Sequence, residues 1–205
     1  MRKSTSSSEI APHAGSVPVR RFNISLALAL LLSLLSAGTA SAQKMPTLGP
    51  QVGRAVGDLP IDFTLKDLEG KPHSLKALRQ EKKVVLVVFW ASWCVPCLQE
   101  VPVVREAYAK YHDRGFEVLG IAVDISQTRE GAGTLARQMK MDYPILWDDG
   151  GSVMDRYRIA SIPQNFLIGR DGIIRYAGTS LPAAHDALIE SLLAAPHVDG
   201  ASTAH

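Results

Sequence analysis

The sequence predicts an α/β domain: a mixed central sheet with helices on both faces, preceded by an extra N-terminal β-hairpin. Three observations carry that expectation. Val84–Trp90 (VVLVVFW) and Phe116–Val123 (FEVLGIAV) are almost unbroken apolar runs, the pattern of strands covered on both faces. Between them Leu98, Val101, Val104, Tyr108 and Tyr111 recur at helical spacing, so strand, helix and strand form a right-handed crossover and a parallel pair. Further on, Asn165–Ile168 and Ile173–Ala177 flank Gly169-Arg170-Asp171-Gly172, and the Asp-Gly step favours an antiparallel hairpin.

The remaining elements follow in chain order. Residues 1–42 carry Arg20-Arg21, an apolar block from Ile24 to Ala37, and the small-residue exit Ala40-Ser41-Ala42. Positive flank, apolar core and A-x-A exit make a secretory signal peptide. The 14 residues of that core span about 21 Å as a helix, short of the ~30 Å hydrocarbon layer. An uncleaved anchor over residues 24–42 is the alternative. Either way the mature protein is expected outside the cytoplasm, in the periplasm or its equivalent. Residues 43–53 are Gly/Pro-punctuated and read as a linker, residues 54–195 as the folded domain, and residues 196–205 as a loose tail.

Within the domain, Phe63–Lys66 alternates, Asp67–Lys71 is turn chemistry, and His73–Leu75 returns as the partner strand. Thr128–Met141 has helical composition, Ile145–Trp147 reads as a short strand, Ser152–Tyr157 as a short helix, and Ala184–Leu193 as the closing helix.

Composition excludes several classes. Of 205 residues 46% are hydrophobic and 20% charged, so the chain is not disordered. Without residues 1–42 the net charge falls from +2 to −1, which argues against nucleic acid as the main partner. Two cysteines are too few for a disulfide-dense miniprotein or a Cys₄ zinc site.

Those two cysteines hold the chemistry. The strand Val84–Trp90 runs into Ala91-Ser92-Trp93-Cys94-Val95-Pro96-Cys97, where a helix begins. A sulfur there lies over unpaired backbone N–H groups at the positive end of the helix dipole, which favours the thiolate. Lowering a free cysteine pKa of ~8.5 by ~1.5 units raises the thiolate from a few per cent to roughly half near neutral pH. Cys94 is therefore the expected attacking thiol and Cys97 the resolving one, with Pro96 pre-setting φ in the first helical turn. Alternatives are half a zinc site, an inert staple and a peroxide-reducing cysteine. The six histidines offer no H-x₃₋₅-H spacing, and a staple closing so short a loop stabilises little.

The segment Phe89–Cys97 resembles the active-site stretch of the thioredoxin superfamily. Pro102, five positions after Cys97, matches the family's helix-kinking proline, and Ser161-Ile162-Pro163-Gln164-Asn165-Phe166-Leu167-Ile168 resembles the stretch with its cis-proline. Val56-Gly57-Asp58-Leu59-Pro60, Phe63-Thr64-Leu65 and Gly70-Lys71 resemble the N-terminal hairpin of the TlpA/ResA/DsbE branch.

The resemblance implies a thioredoxin-like fold and an exported thiol–disulfide oxidoreductase. Its implied role is to reduce protein disulfides, as in cytochrome c maturation, with a membrane electron donor and client proteins as partners. No cofactor or metal is implied beyond the Cys94–Cys97 disulfide. It also implies that Ile162, before a cis Pro163, pairs with an extended client strand, and that Trp93 rims the groove. Val88 stands where thioredoxin has a buried Asp. Glu100 stands where the branch often carries a Glu, on the helical face of Cys97, whose proton a half-buried carboxylate can accept. Gln164-Asn165 departs from the Thr or Glu-Thr of many relatives. Asp124, at a strand's C-terminal end, is a further candidate. Rival readings are a peroxiredoxin-like peroxidase and a non-catalytic metal- or haem-handling chaperone. The peroxidase pattern asks for Thr and Pro where Ala91 and Val87 stand.

Overall fold

The computed structural model describes residues 50–126 and 128–196. The expected signal peptide or anchor (residues 1–42) and all but the first residue of the expected tail (residues 196–205) lie outside them. Among the described residues no helix is long and apolar enough to cross a membrane.

Seven strands form one sheet. β3 (Thr64–Asp67) and β4 (Pro72–Ser74) make the hairpin; β5 (Val84–Trp90), β6 (Phe116–Ala122), β7 (Ile145–Trp147), β8 (Gln164–Ile168) and β9 (Ile174–Gly178) complete the order β4-β3-β7-β6-β5-β8-β9. β5 pairs in parallel with β6 along its whole length and antiparallel with β8, while β6 pairs in parallel with β7. The sheet is mixed, as its apolar runs and turn signals predict. The small strands β1 (Val52–Gly53) and β2 (Leu59–Pro60) pair in parallel apart from it. Two-residue strands have no periodicity to read, so Val52 and Gly53 fall within the stretch expected as linker.

Among the described residues five helices pack on the sheet: α1 (Leu75–Gln80), α2 (Val95–Tyr111), α3 (Arg129–Gln138), α4 (Ser152–Arg156) and α5 (His185–Ala194). α1 is not foreseen, because Leu75 reads as the last residue of the returning strand. Instead Ser74 caps a helix there, its hydroxyl accepting from the Ala77 N–H at 3.3 Å. α1 and α4 cover one face through Leu75 and Val153. α2, α3 and α5 cover the other through Val104, Ala132, Ala136, Ile189 and Leu193.

The seven residues of β5 are all buried, and their alternation feeds both cores. Val84, Leu86, Val88 and Trp90 enter the α2 side, and Val85, Val87 and Phe89 the opposite side. Space is tight at Gly120 in β6: a Cβ there would lie 2.9 Å from Ile145 Cδ1 and 3.1 Å from Tyr143, so both side chains would have to shift. At the β8–β9 turn Gly172 has φ +78° and donates to the Gly169 carbonyl at 2.8 Å, as the Asp-Gly step predicts.

Candidate active site

β5 ends at Trp90, and the chain turns through Ala91–Cys94 into α2. The Cys94 N–H donates to the Ala91 carbonyl at 3.1 Å, and the Cys94 carbonyl accepts the first helical hydrogen bond from Leu98 at 3.1 Å. Cys94 is the N-cap, in extended conformation, and its Sγ accepts from the Cys97 N–H at 3.3 Å. Sulfur thus occupies the place where a Ser or Asp oxygen usually satisfies one of the helix's first N–H groups. Cys94 and Cys97 are joined as a disulfide. Val95 and Pro96 form the first two helical residues, where the missing proline N–H costs no helical bond. Pro102 lies inside the helix.

The turn is anchored from β6. Asp124, buried just beyond that strand, accepts from the Ser92 N–H at 3.0 Å and from the Ser92 hydroxyl. The Val123 N–H donates to the Trp90 carbonyl at 2.9 Å. The ends of β5 and β6 therefore fix the segment that presents Cys94.

On the other side stands β8. The Ile162–Pro163 peptide bond is cis, as the resemblance implies. β8 pairs with β5 so that Gln164, the residue after Pro163, faces Phe89, the residue before Trp90. Ile162 is half-buried and packs on the core cluster that contains both cysteines. Asn165, opposite Val88, is fully buried.

Glu100 is half-buried on α2, three residues beyond Cys97, a spacing that sets side chains on one helical face. Its two oxygens accept from the Asn165 Nδ2 at 3.0 Å each, and one also accepts from the Leu181 N–H. Burial and then the charge of Glu100 push the phenols of Tyr143 and Tyr176 upward, so both stay neutral hydroxyls beside it. Among the described residues, no three His, Cys, Asp or Glu side chains converge to hold a metal ion.

Residues 56–177 match the model of the AhpC/TSA family. The chain belongs to the AhpC/TSA family. Within it, the chain is 35% identical over 117 residues to the thiol-disulfide oxidoreductase ResA of Bacillus cereus, covering 57% of this chain and 65% of that protein. ResA of Geobacillus thermodenitrificans is 35% identical over 121 residues, covering 59% and 67%. The chain thus spans about two thirds of the length of these curated relatives. A Chlorobium tepidum protein assigned as the thiol:disulfide interchange protein DsbE is 30% identical, with TM-score 0.59, over 68% of this chain and 96% of that one. The thioredoxin domain of a Bacteroides vulgatus thiol-disulfide oxidoreductase is 25% identical, with TM-score 0.60, over 67% and 98%. The fold of this AhpC/TSA chain is thioredoxin-like.

Cys94 and Cys97 lie in one core cluster against which Ile162 packs; Trp93 precedes Cys94 and Pro96 precedes Cys97 in the chain, Pro163 follows Ile162, and Glu100 lies on the helix three residues past Cys97. Cys94 and Cys97 are equally buried, each 4% exposed, so their difference lies in the N-cap position and not in depth. Trp93 is 64% exposed, a rim residue, whereas Trp90 is 3% exposed and belongs to the core. Trp147 and Tyr157 are buried and Tyr176 half-buried, as packing residues should be. Two features escape the sequence. Val95, beside Trp93 and Cys94 in the chain, and Ile125, just past the Asp124 that anchors Ser92, are 63% and 65% exposed; Ile125 is a single apolar residue in the polar run Asp124-Ile125-Ser126-Gln127-Thr128. Asn165 carries the Glu100 contact, but the sequence reads it only as the first residue of a strand, with nothing to show which side chain it meets.

Proposed function

We propose that this protein is an exported thiol–disulfide oxidoreductase that reduces disulfides in client proteins. The observation that carries the reading is Cys94 as the N-cap of α2, its sulfur accepting from the Cys97 N–H while bonded to the Cys97 sulfur. A thiolate in that place is favoured by the N–H group and the helix dipole. In the reduced enzyme the Cys94 thiolate attacks one sulfur of the client disulfide, and the other client sulfur leaves as a thiolate. The Cys97 sulfur then attacks Cys94 in the mixed disulfide, passing its proton to Glu100, and the second client thiolate is released. The client gains two electrons and the Cys94–Cys97 disulfide forms. A membrane protein carrying a dithiol returns the enzyme to its reduced state.

Ile162, ahead of the cis Pro163, offers its backbone to an extended client strand, while Trp93, Val95 and Ile125 supply apolar contact. The reading includes cytochrome c maturation as the process served, export through residues 1–42 with cleavage or retention as an anchor, and a periplasmic location. The ResA and DsbE likeness supports the oxidoreductase activity, the signal-peptide pattern of residues 1–42 supports export, and the process served follows the resemblance to the TlpA/ResA/DsbE branch. Peroxide reduction is the weaker reading, since Ala91 and Val87 replace the Thr and Pro of that chemistry.

Cys97→Ser tests the mechanism. Expressed in the exporting compartment, it should accumulate a mixed disulfide between Cys94 and its client, which mass spectrometry identifies. Cys94→Ser should trap nothing and catalyse no exchange. If Cys97→Ser forms no adduct while wild type turns over, the two-thiol mechanism is wrong.

A further inference from the structure

The amide of Asn165 is doubly unusual. It is fully buried in the middle of a sheet, between Val88 on β5 and Gly178 on β9. Only one end of it is occupied: Nδ2 donates to both oxygens of Glu100, while Oδ1 is buried with no hydrogen-bond partner. A buried acceptor left unmatched is destabilising, so its presence here asks for a reason beyond packing. An amide has a donor end and an acceptor end, and a carboxyl group changes from pure acceptor to donor when it takes a proton.

We infer that Asn165 is the positioning residue for Glu100 in both of its protonation states, its Nδ2 holding the carboxylate and its vacant Oδ1 accepting from the carboxylic acid once Glu100 has taken the Cys97 proton. The inference rests on the proposed role of Glu100 as that proton acceptor. While ionised, Glu100 is oriented by Asn165 from β8 and by the Leu181 N–H from the loop after β9. Once neutral, the acid O–H turns to an amide rotated about its last side-chain bond, so neither state leaves the carboxyl group unmatched in the interior. Asn165 is two residues past Pro163, so the strand that presents the client-binding backbone is tied to the carboxyl group that takes the proton.

The groups facing Glu100 from other elements are Tyr143, ahead of β7, and Tyr176 on β9. Both phenols feel its charge, and burial keeps both neutral through the range in which carboxylates and cysteines titrate. On its own helix stands Cys97, with Arg105 a turn further on near Tyr143.

The resolving step can be read without knowing the client. Reduced protein mixed with 5,5′-dithiobis(2-nitrobenzoate) forms a Cys94 mixed disulfide, and attack by Cys97 releases a second equivalent of coloured thiolate. Its rate, followed by stopped flow from pH 4 to 9, should rise with the ionisation of Glu100. Glu100→Gln should remove that acid limb. Asn165→Leu removes two charge-assisted bonds to the carboxylate against one neutral bond to the acid, so the limb should move up by about one pH unit and resolution below it slow about tenfold. Asn165→Asp keeps the shape but places two carboxyl groups together, and the limb should move further still.

Unchanged limbs in both Asn165 variants, with the limb lost in Glu100→Gln, overturn this inference and leave the role of Glu100 standing. A limb that survives Glu100→Gln overturns that role as well. Should the variants fail to fold, the wild type answers by nuclear magnetic resonance. The Asn165 side-chain amide signals should titrate with the same midpoint as the acid limb in wild type and stay flat in Glu100→Gln; amide signals that ignore pH in wild type overturn the inference.

Discussion

The two faces of the sheet are fed by the same strands and differ in kind. On the face away from the cysteines, Phe63, Phe89, Tyr157 and Phe166 pack with ring centroids 5.2–6.3 Å apart, and the Tyr157 hydroxyl donates to the Ile61 carbonyl at 2.8 Å. That face is apolar and matched. On the cysteine face lie Cys94, Cys97, Glu100 and Asn165, together with two buried atoms, Trp90 Nε1 and Asn165 Oδ1, that have no partner. A core selected for stability alone removes unmatched polar atoms. Among the described residues the other buried atoms without a partner belong to Arg79, Arg105, His112 and Arg170, outside the strands, so these two are the ones the sheet itself carries. Asn165, bonded to Glu100, marks that face as the one where chemistry competes with packing.

The largest expected effect lies on the cysteine face. Cys94→Ser should abolish disulfide exchange with a model substrate such as insulin, while circular dichroism shows an unchanged fold. Residual turnover would place the attacking sulfur elsewhere. Phe166→Ala should do the reverse. Removal of a buried aromatic costs about 3–5 kcal/mol, read as a lower denaturation midpoint, with the alkylation rate of Cys94 in the folded protein unchanged. A change in that rate would mean that the two faces are coupled.

How far the two faces could be read in advance follows from the kind of signal each leaves. Val84–Trp90 announces a central strand because both of its sides are apolar, and the alternation of β5 then supplies both cores. Cys94-Val95-Pro96-Cys97 announces the site, since a strand running into a cysteine at a helix start has few other uses. Hydrogen bonds between distant residues leave no such trace. Asp124 on Ser92 spans 32 residues and Asn165 on Glu100 spans 65; each side chain alone is ordinary, and only the register of β5 with β6 and β8 brings the partners together. α1 was hidden for a different reason. Its six residues are too few for periodicity to outweigh the strand pattern before them.

Smaller effects sharpen the contrast. Tyr157→Phe leaves the Ile61 carbonyl without its donor and should cost about 1 kcal/mol in a chemical denaturation curve, with no effect on exchange. A cost near zero would show that the hydroxyl is not part of the matched face.

Asp67 provides a carboxylate at the β3–β4 edge of the sheet. It accepts from the Glu69 and Lys71 N–H groups at 3.0 and 2.8 Å and meets His73 Nε2 at 2.8 Å. Burial pushes its carboxyl upward, but the His73 contact and the backbone N–H groups outweigh it and hold the group below its ordinary value. Its folded pKa is depressed, so its contribution is complete above the unfolded value of about 3.9 and is lost as pH falls through the folded one. Asp67→Asn should therefore flatten the fall in melting temperature below about pH 4; an unaltered slope would remove Asp67 from the acid response. Exchange by the Asp67→Asn protein at neutral pH should match wild type.

The account turns on the sulfur at the start of α2. With Cys97 replaced by Ala so that one thiol remains, the rate of Cys94 alkylation by iodoacetamide should be followed from pH 4 to 10. The helix dipole and the first-turn N–H groups predict a midpoint near about 7, roughly 1.5 units below that of a free cysteine. A midpoint at or above about 8.5, the value for an ordinary thiol, would contradict the account.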